Sequence, residues 1–207
     1  MLDDIVFILE LIGTVAFAAS GAMIAVNRKM DIFGVAMLGL FTAVGGGVIR
    51  DLLLGNTPPL SFRQPVYALT AIAVSGLMFQ KPLRNRYNAH HRAFDTVMLA
   101  MDSLGLGVFT VTGVQVALMA ESNLYTAVFV GVVTGVGGGI LRDVMAGQTP
   151  FVFVKHFYAS ASLIGALACA LLWPLAGELA ATLAGAVVVI ALRLLAARYH
   201  WSLPKPD

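Results

Sequence analysis

A shift of the chain by 92 residues lays GLFTAVGGGVIRDLLLGNTP (39–58) on GVVTGVGGGILRDVMAGQTP (131–150) without a gap, and eleven of the twenty positions are identical. The same offset pairs Gly13 with Gly105, Phe17 with Phe109 and Gly21 with Gly113, and it sets Glu10 opposite Asp102. A constant offset across two separate segments marks a duplicated unit rather than a chance recurrence. Whatever this chain folds into has to be assembled from two related halves.

The solvent for those halves follows from the residues that fill them. Of 207 residues, 59% are hydrophobic and only 12% charged, against about 25% charged in an ordinary soluble domain. That leaves too little polar surface to cover a water-soluble globule. Apolar stretches near 5–26, 32–54, 65–80, 94–119, 124–147, 156–174 and 179–197 approach the roughly 20 residues needed to cross a bilayer, the third being short. The sequence therefore predicts an all-α membrane protein of seven transmembrane helices. Residues 1–80 form a first three-helix repeat, 81–93 a basic cytoplasmic loop, 94–174 a second repeat, and 175–207 a seventh helix with a C-terminal tail. Three spans per unit is an odd number, so the second copy enters the membrane from the opposite side. That is an inverted 3+3 repeat, the architecture in which symmetry-related helices build a site near the midplane.

The start is acidic (Asp3, Asp4) and the first apolar run is long, unlike the basic start and short apolar core of a cleaved signal. The single Cys169 lies inside the sixth span, where a lone thiol packs rather than pairs. Lys and Arg near short loops stay on the cytoplasmic side. With the N-terminus outside and the C-terminus inside, Arg28, Lys29, Lys81, Arg84, Arg86, Arg92, Arg142, Lys155, Arg193, Arg198 and Lys205 gather on the inner side, leaving Arg50 and Arg63 outside. These charges read as topology signals and not as a nucleic-acid surface.

Each half carries Gly-Gly-Gly-x-x-Arg-Asp: Gly45, Gly46, Gly47, Arg50 and Asp51, then Gly137, Gly138, Gly139, Arg142 and Asp143. Three glycines weaken a helix interior by about 3 kcal/mol relative to alanine, which favours a kink or unwound turn with exposed carbonyls, tolerable in a membrane only where protein or a wet cavity receives them. Close helix packing is the other use of such residues, and Gly131, Gly135 and Gly139 have its spacing. Ionisable side chains at this depth are candidate functional groups. Arg50, Asp51, Arg142 and Asp143 line a pathway or form a structural clasp. Adjacent helix residues point about 100° apart, so pairing across the two copies is the more natural arrangement. Thr42 and Thr134 offer hydroxyls to a wet interior or bond their own backbone. Glu10 and Asp102 are matched acids that could draw cations towards a mouth, and Asp102 is the better candidate, because Glu10 is near enough to a helix end to be solvated. The Gly-Asn-Thr-Pro and Gly-Gln-Thr-Pro segments after the motifs read as helix stops.

His90, His91, His156 and His200 fit no metal-ligand spacing, and no nucleophile elbow, phosphate loop or zinc-protease motif is present. The chain is expected to be no enzyme and to carry no cofactor or metal.

Two GGG-x-x-RD motifs, each followed by G-[NQ]-T-P in a seven-span chain of this length, resemble the prokaryotic branch of the trimeric intracellular cation (TRIC) channel family, also known as the glycine transporter domain family in two tandem copies. The resemblance implies a homotrimer in a bacterial inner membrane, with one pore per protomer passing monovalent cations, chiefly potassium. It also implies that the Gly-triplet kinks of the second and fifth helices line that pore. Membrane lipid is the expected partner, with no obligatory protein partner. From the residues alone, three readings remain: a cation channel in which freed carbonyls replace ion hydration, a secondary transporter of a small amino acid such as glycine whose carboxylate an Arg clamps, and a scaffold that only oligomerises.

Overall fold

Asp31 and Asn123 begin two long helices in the same way. Each has extended backbone, and its side-chain oxygen accepts a hydrogen bond from the backbone N–H three residues on, Gly34 at 2.7 Å and Thr126 at 2.9 Å. This N-cap satisfies one of the otherwise orphaned amides of the first turn. The helices also end alike. Gly55 and Gly147 take the left-handed backbone (φ +73° and +67°), with Gly55 N–H on the Leu52 carbonyl and Asn56 N–H on that of Asp51, repeated by Gly147 on Val144 and Gln148 on Asp143. That double bond pattern is a glycine C-cap, and the two helix stops read from the sequence are placed where expected.

A computed structural model of the chain describes residues 2–80, 91–154 and 157–201, side chains at 2–4 and 91–93 aside. Of the basic loop expected at 81–93, residues 81–90 with Lys81, Arg84, Arg86 and His90 lie outside the described residues, as do Lys155, His156, Lys205 and the side chains of Asp3, Asp4, His91 and Arg92, whereas the backbone of 91–93 is already helical. The described helices are α1 (Leu2–Asn27), α2 (Ile32–Leu53), α3 (Leu60–Arg63), α4 (Val66–Phe79), α5 (His91–Met119), α6 (Leu124–Met145), α7 (Phe151–Val154), α8 (Tyr158–Ala176) and α9 (Glu178–Arg198). Six of them are long and apolar enough to cross a membrane, and α4, with 14 residues, is a shorter apolar helix.

Helices α1, α2 and α4 pack on one another, as do α5, α6 and α8. The two sets meet where α1 lies on α5 and α2 on α6, and α9 covers α5 and α8. Large apolar side chains such as Ile8, Leu69, Tyr125 and Leu175 face outward, whereas Arg50, Asp51, Asp102, Arg142, Asp143 and Arg193 are buried. Apolar outside with charge inside is the arrangement a hydrocarbon solvent demands. Between these layers the packing is done by small residues, Ala16, Ala18, Ala22 and Ala25 on α1 among them, which let helix backbones approach. Cys169 is buried in the apolar cluster of α5, α6, α8 and α9.

The unwound turn expected at the glycine triplets is not there. Both α2 and α6 run as continuous α-helix through 45–47 and 137–139. The triplets serve instead as the place where α2 and α6 touch. A Cβ on Gly46 would strike the Thr134 carbonyl oxygen, and a Cβ on Gly138 would strike that of Thr42. Gly131 and Gly135 make the same kind of contact with the α5 backbone at Thr110 and Leu106. The weakness of glycine in an isolated helix is offset here by two backbones packing without side chains between them, and no backbone group has to be unpaired inside the membrane.

The obstacle at this crossing is backbone, which cannot rotate away. Gly46→Ala and Gly138→Ala should each lower the thermal unfolding midpoint of the purified protein in detergent, by a destabilisation of about 1–3 kcal/mol. Gly76→Ala meets nothing within 4 Å and should leave the midpoint unchanged or raise it slightly. Equal midpoints for Gly46→Ala and wild type would mean that the crossing is not close-packed.

Candidate functional site

The glycine C-caps bring the chain back so that the next helix begins beside the Asp of each motif. Asp51 Oδ2 accepts from the Leu60 N–H at the start of α3, and Asp143 Oδ2 from the Phe151 N–H at the start of α7, both at 2.8 Å. The first-turn amides of a short helix need such a partner, and a carboxylate is the strongest one. The other oxygen of each Asp takes the neighbouring arginine: Arg50 Nε to Asp51 Oδ1 and Arg142 Nε to Asp143 Oδ1, again both 2.8 Å. Pairing is therefore within each motif and not across the two copies. The long arginine stem curls along the helix, so the head reaches an Asp whose direction at the backbone differs by about 100°.

Each guanidinium then reaches a second acid. Arg50 Nη1 lies 3.4 Å from Glu10 Oε1, and Arg142 Nη1 donates to Asp102 Oδ1 at 2.6 Å. Glu10 is not solvated as its position suggested; it is buried, with the Tyr67 hydroxyl donating to its other oxygen at 2.6 Å. Arg142 crosses to the first half through one contact only among those described, donating to Ser20 Oγ at 2.5 Å. Its guanidinium also stacks 4.9 Å from the centre of the Phe151 ring, and Gln148 adds a 2.9 Å bond to Asp143.

The two clusters differ in charge. The first sets one arginine (Arg50) against two carboxylates, Glu10 and Asp51. The second sets two against two, because Arg193 of α9 lies 3.7 Å from Asp102 Oδ2 and 4.6 Å over the Tyr158 ring. A cavity of about 30 Å³ adjoins the first cluster, lined by Glu10, Arg50, Asp51, Tyr67, Ser61 and Phe109 among others, which is room for a water or two. Thr42 and Thr134 are fully buried and donate back to the Leu38 and Val130 carbonyls, at 2.5 and 2.6 Å, so their hydroxyls are bound to their own helices. Their own backbone carbonyls meet Gly138 and Gly46 at the crossing. Among the described residues, no group of three or more His, Cys, Asp or Glu is placed to hold a metal ion.

The sequence reading missed Tyr67, Tyr158 and Arg193 in these clusters. A rigid 92-residue shift puts Tyr67 opposite Ala159, because the second linker is one residue shorter: Pro58-Pro59 in the first half stands against Pro150 alone. One gap after that proline aligns Tyr67 with Tyr158. Arg193 was counted, with Arg142 and Arg50, among the charges that set topology; all three are buried. A lone arginine between VVVIAL and LLAA was the available signal, since a charge within an apolar span defaults to a buried role.

Removing one member of a buried ion cluster strands the others at several kcal/mol. Arg142→Met should therefore destabilise the protein by about 3–5 kcal/mol, with a drop in the detergent melting point. Arg28→Ala breaks only an exposed contact to Gln148 and should lie within the scatter of wild type. Similar melting points for the two would deny the second cluster a structural part.

The family described as Glycine transporter matches residues 7–81 and 99–174. The UPF0126 inner membrane protein YadS of Escherichia coli K12 is 38% identical over 205 residues, 97% of this chain and 95% of its own. A UPF0126 membrane protein of Deinococcus radiodurans is 39% identical over 198 residues, 95% and 89% of the two chains. Among solved structures, a TRIC trimeric intracellular cation channel orthologue from Rhodobacter sphaeroides superposes with a TM-score of 0.86 at 32% identity, covering 95% of this chain and 99% of that one. A second, solved in work on conductance through TRIC cation channels, gives a TM-score of 0.81 at 36% identity over 97% and 96%. These neighbours are channels and not enzymes. With matches over nearly its whole length, the chain is an integral membrane protein belonging to the Glycine transporter family, and its fold is that of solved TRIC cation channels.

Proposed function

We propose that this protein is a cation channel, selective for potassium among monovalent cations, with a conduit inside each protomer. The observation that carries the reading is the pair of buried arginine–carboxylate clusters at equivalent places in the two halves, inside a chain that superposes on TRIC channels from end to end. Buried ions are costly in a membrane interior and persist where a hydrated route or a fixed partner uses them. The net negative charge of the first cluster, two carboxylates to one arginine, favours a cation beside it.

Several finer features belong to the same reading. The chain is an inverted 3+3 repeat, 1–80 and 94–174, joined by the loop 81–93 and closed by the seventh helix in 175–207. The N-terminus is outside and the C-terminus cytoplasmic, which puts Glu10 and Arg50 towards the outer mouth and Asp102 and Arg142 towards the inner one. The Rhodobacter sphaeroides orthologue is named a trimeric intracellular cation channel, and a homotrimer in lipid, without a cofactor, is the assembly we infer. Gly45, Gly46 and Gly47 with Gly137, Gly138 and Gly139 form the narrow middle, where α2 and α6 would have to separate for an ion to pass. Arg50, Asp51, Arg142, Asp143 and Asp102 flank that middle, and the carbonyls of Thr42 and Thr134 face it. The family's description as a glycine transporter favours one other reading, a carrier that moves a small amino acid by alternating access.

Purified protein in a planar bilayer under a potassium/sodium gradient separates the two. Stepwise unitary currents reversing near the potassium potential are expected. Saturable glycine counterflow without unitary currents would replace the channel with the carrier. Arg50→Lys and Arg142→Lys keep the charge and lose the two-pronged fork, and each should change unitary conductance or open probability. Identical records for both would take the arginines out of permeation.

A further inference from the structure

The duplication accounts for every charged member of the two buried clusters except one. Arg50 and Arg142, Asp51 and Asp143, and Glu10 and Asp102 are pairs at the same offset, and Tyr67 and Tyr158 match after the one-residue gap. Arg193 has no counterpart in the first half, because α9 follows the second repeat. Packing of α9 on α5 and α8 brings its guanidinium to the second cluster, with Nη2 3.7 Å from Asp102 Oδ2 and the head 4.6 Å over the Tyr158 ring. In the first cluster Tyr67 has the Phe7 ring at 6.1 Å, and Glu10, Arg50 and Tyr67 border a cavity of about 30 Å³. The second site is completed by a cation of the protein itself, and the first keeps open space beside its acids.

The difference is one of fixed charge. Glu10, Arg50, Asp51, Asp102, Arg142, Asp143 and Arg193 are all buried, where a charge is felt more strongly than on a wet surface. The first cluster carries one carboxylate in excess, and the second carries none because of Arg193. Low-dielectric walls with net charge of one sign focus the field and raise the local concentration of counter-ions. Only the Glu10 end therefore gathers cations. The exposed Arg63 at that end and Arg28 at the other are screened by salt and do not cancel the difference. Entry into a conduit scales with the ion concentration at its mouth, so unequal mouths pass unequal currents in the two directions.

We propose that Arg193 sets the direction of easier conduction: by neutralising Asp102 it denies the second cluster the excess charge that the first retains, and potassium enters more readily from the Glu10 end. The inference rests on the channel reading and adds to it a rectifying residue outside the duplicated segment. Arg193 acts through the charge of its partner and needs no contact with the moving ion.

The test is single-channel recording of wild type, Arg193→Gln, Arg193→Lys and Glu10→Gln in planar bilayers with symmetrical potassium chloride. At 0.1 M salt the wild-type conductance should differ between the two polarities by about threefold, and the ratio should shrink towards one at 1 M, where screening is stronger. Arg193→Gln gives the second cluster the composition that the first already has, one arginine to two carboxylates. It should bring the ratio close to one by raising the smaller current. Glu10→Gln should also bring it close to one, by lowering the larger current. Those opposite routes identify the two ends whichever way the protein inserts, and a loss of packing alone would not produce them. Arg193→Lys keeps the charge and should keep the ratio. If Arg193→Gln does not fold, Glu10→Gln and Arg193→Lys decide between them. Equal wild-type currents at 0.1 M, an unchanged ratio in either neutralising variant, or a lost ratio in Arg193→Lys would overturn the inference and leave the channel standing. Absence of unitary currents from wild type would overturn the channel reading and the rectifier with it.

Discussion

Hydrocarbon gives a buried arginine no hydration to fall back on, and the rest of the structure is arranged around that constraint. Arg142 is fully buried and is tolerated because Asp143, Asp102 and Ser20 meet its Nε and Nη1 donors and Phe151 covers its face, while Nη2 has no hydrogen-bond partner among the described residues. Removing charges from water costs more than their attraction returns unless the remaining donors and acceptors are also satisfied. The chain meets that condition for Asp51 and Asp143 by closing each helix with a glycine cap and starting another beside the Asp. The α3 and α7 amides then complete the carboxylate's shell. Local backbone chemistry and the charged cluster are one device, made twice.

Small departures from the duplication have physical consequences. Pro59 has no N–H to offer, so Asp51 takes the amide of Leu60, one residue later than the equivalent Phe151. Gln148 is long enough to reach Asp143, whereas the shorter Asn56 stands at the matching place. Arg193 comes from α9, outside the duplicated segment, and makes the second cluster neutral by count while the first retains one excess carboxylate. Two equal sites would have no polarity; Arg193 of α9 supplies one.

Glycine plays two parts that composition cannot tell apart. At 55 and 147 it permits a positive φ and ends a helix. At 46 and 138 it is ordinary helix, and what matters is the missing Cβ, since the carbonyls of Thr134 and Thr42 occupy that space. A helix that would be weak alone is held by the neighbour it can approach.

Apolar period, charge content and self-similarity were enough to establish a helical membrane protein in two related halves, because lipid admits few other structures for such a chain and a duplicated sequence must repeat its local chemistry. The helix stops at Gly55 and Gly147 were equally legible, being local. Partner choice was not. Whether a glycine triplet unwinds or packs depends on what stands opposite it, and the pairing of Arg50 with Asp51 and Glu10, rather than with an acid of the other half, depends on side-chain reach and helix placement that no spacing encodes. Arg193 and Tyr158 join the second cluster for the same reason: contacts between residues distant in the chain are settled only when the helices pack.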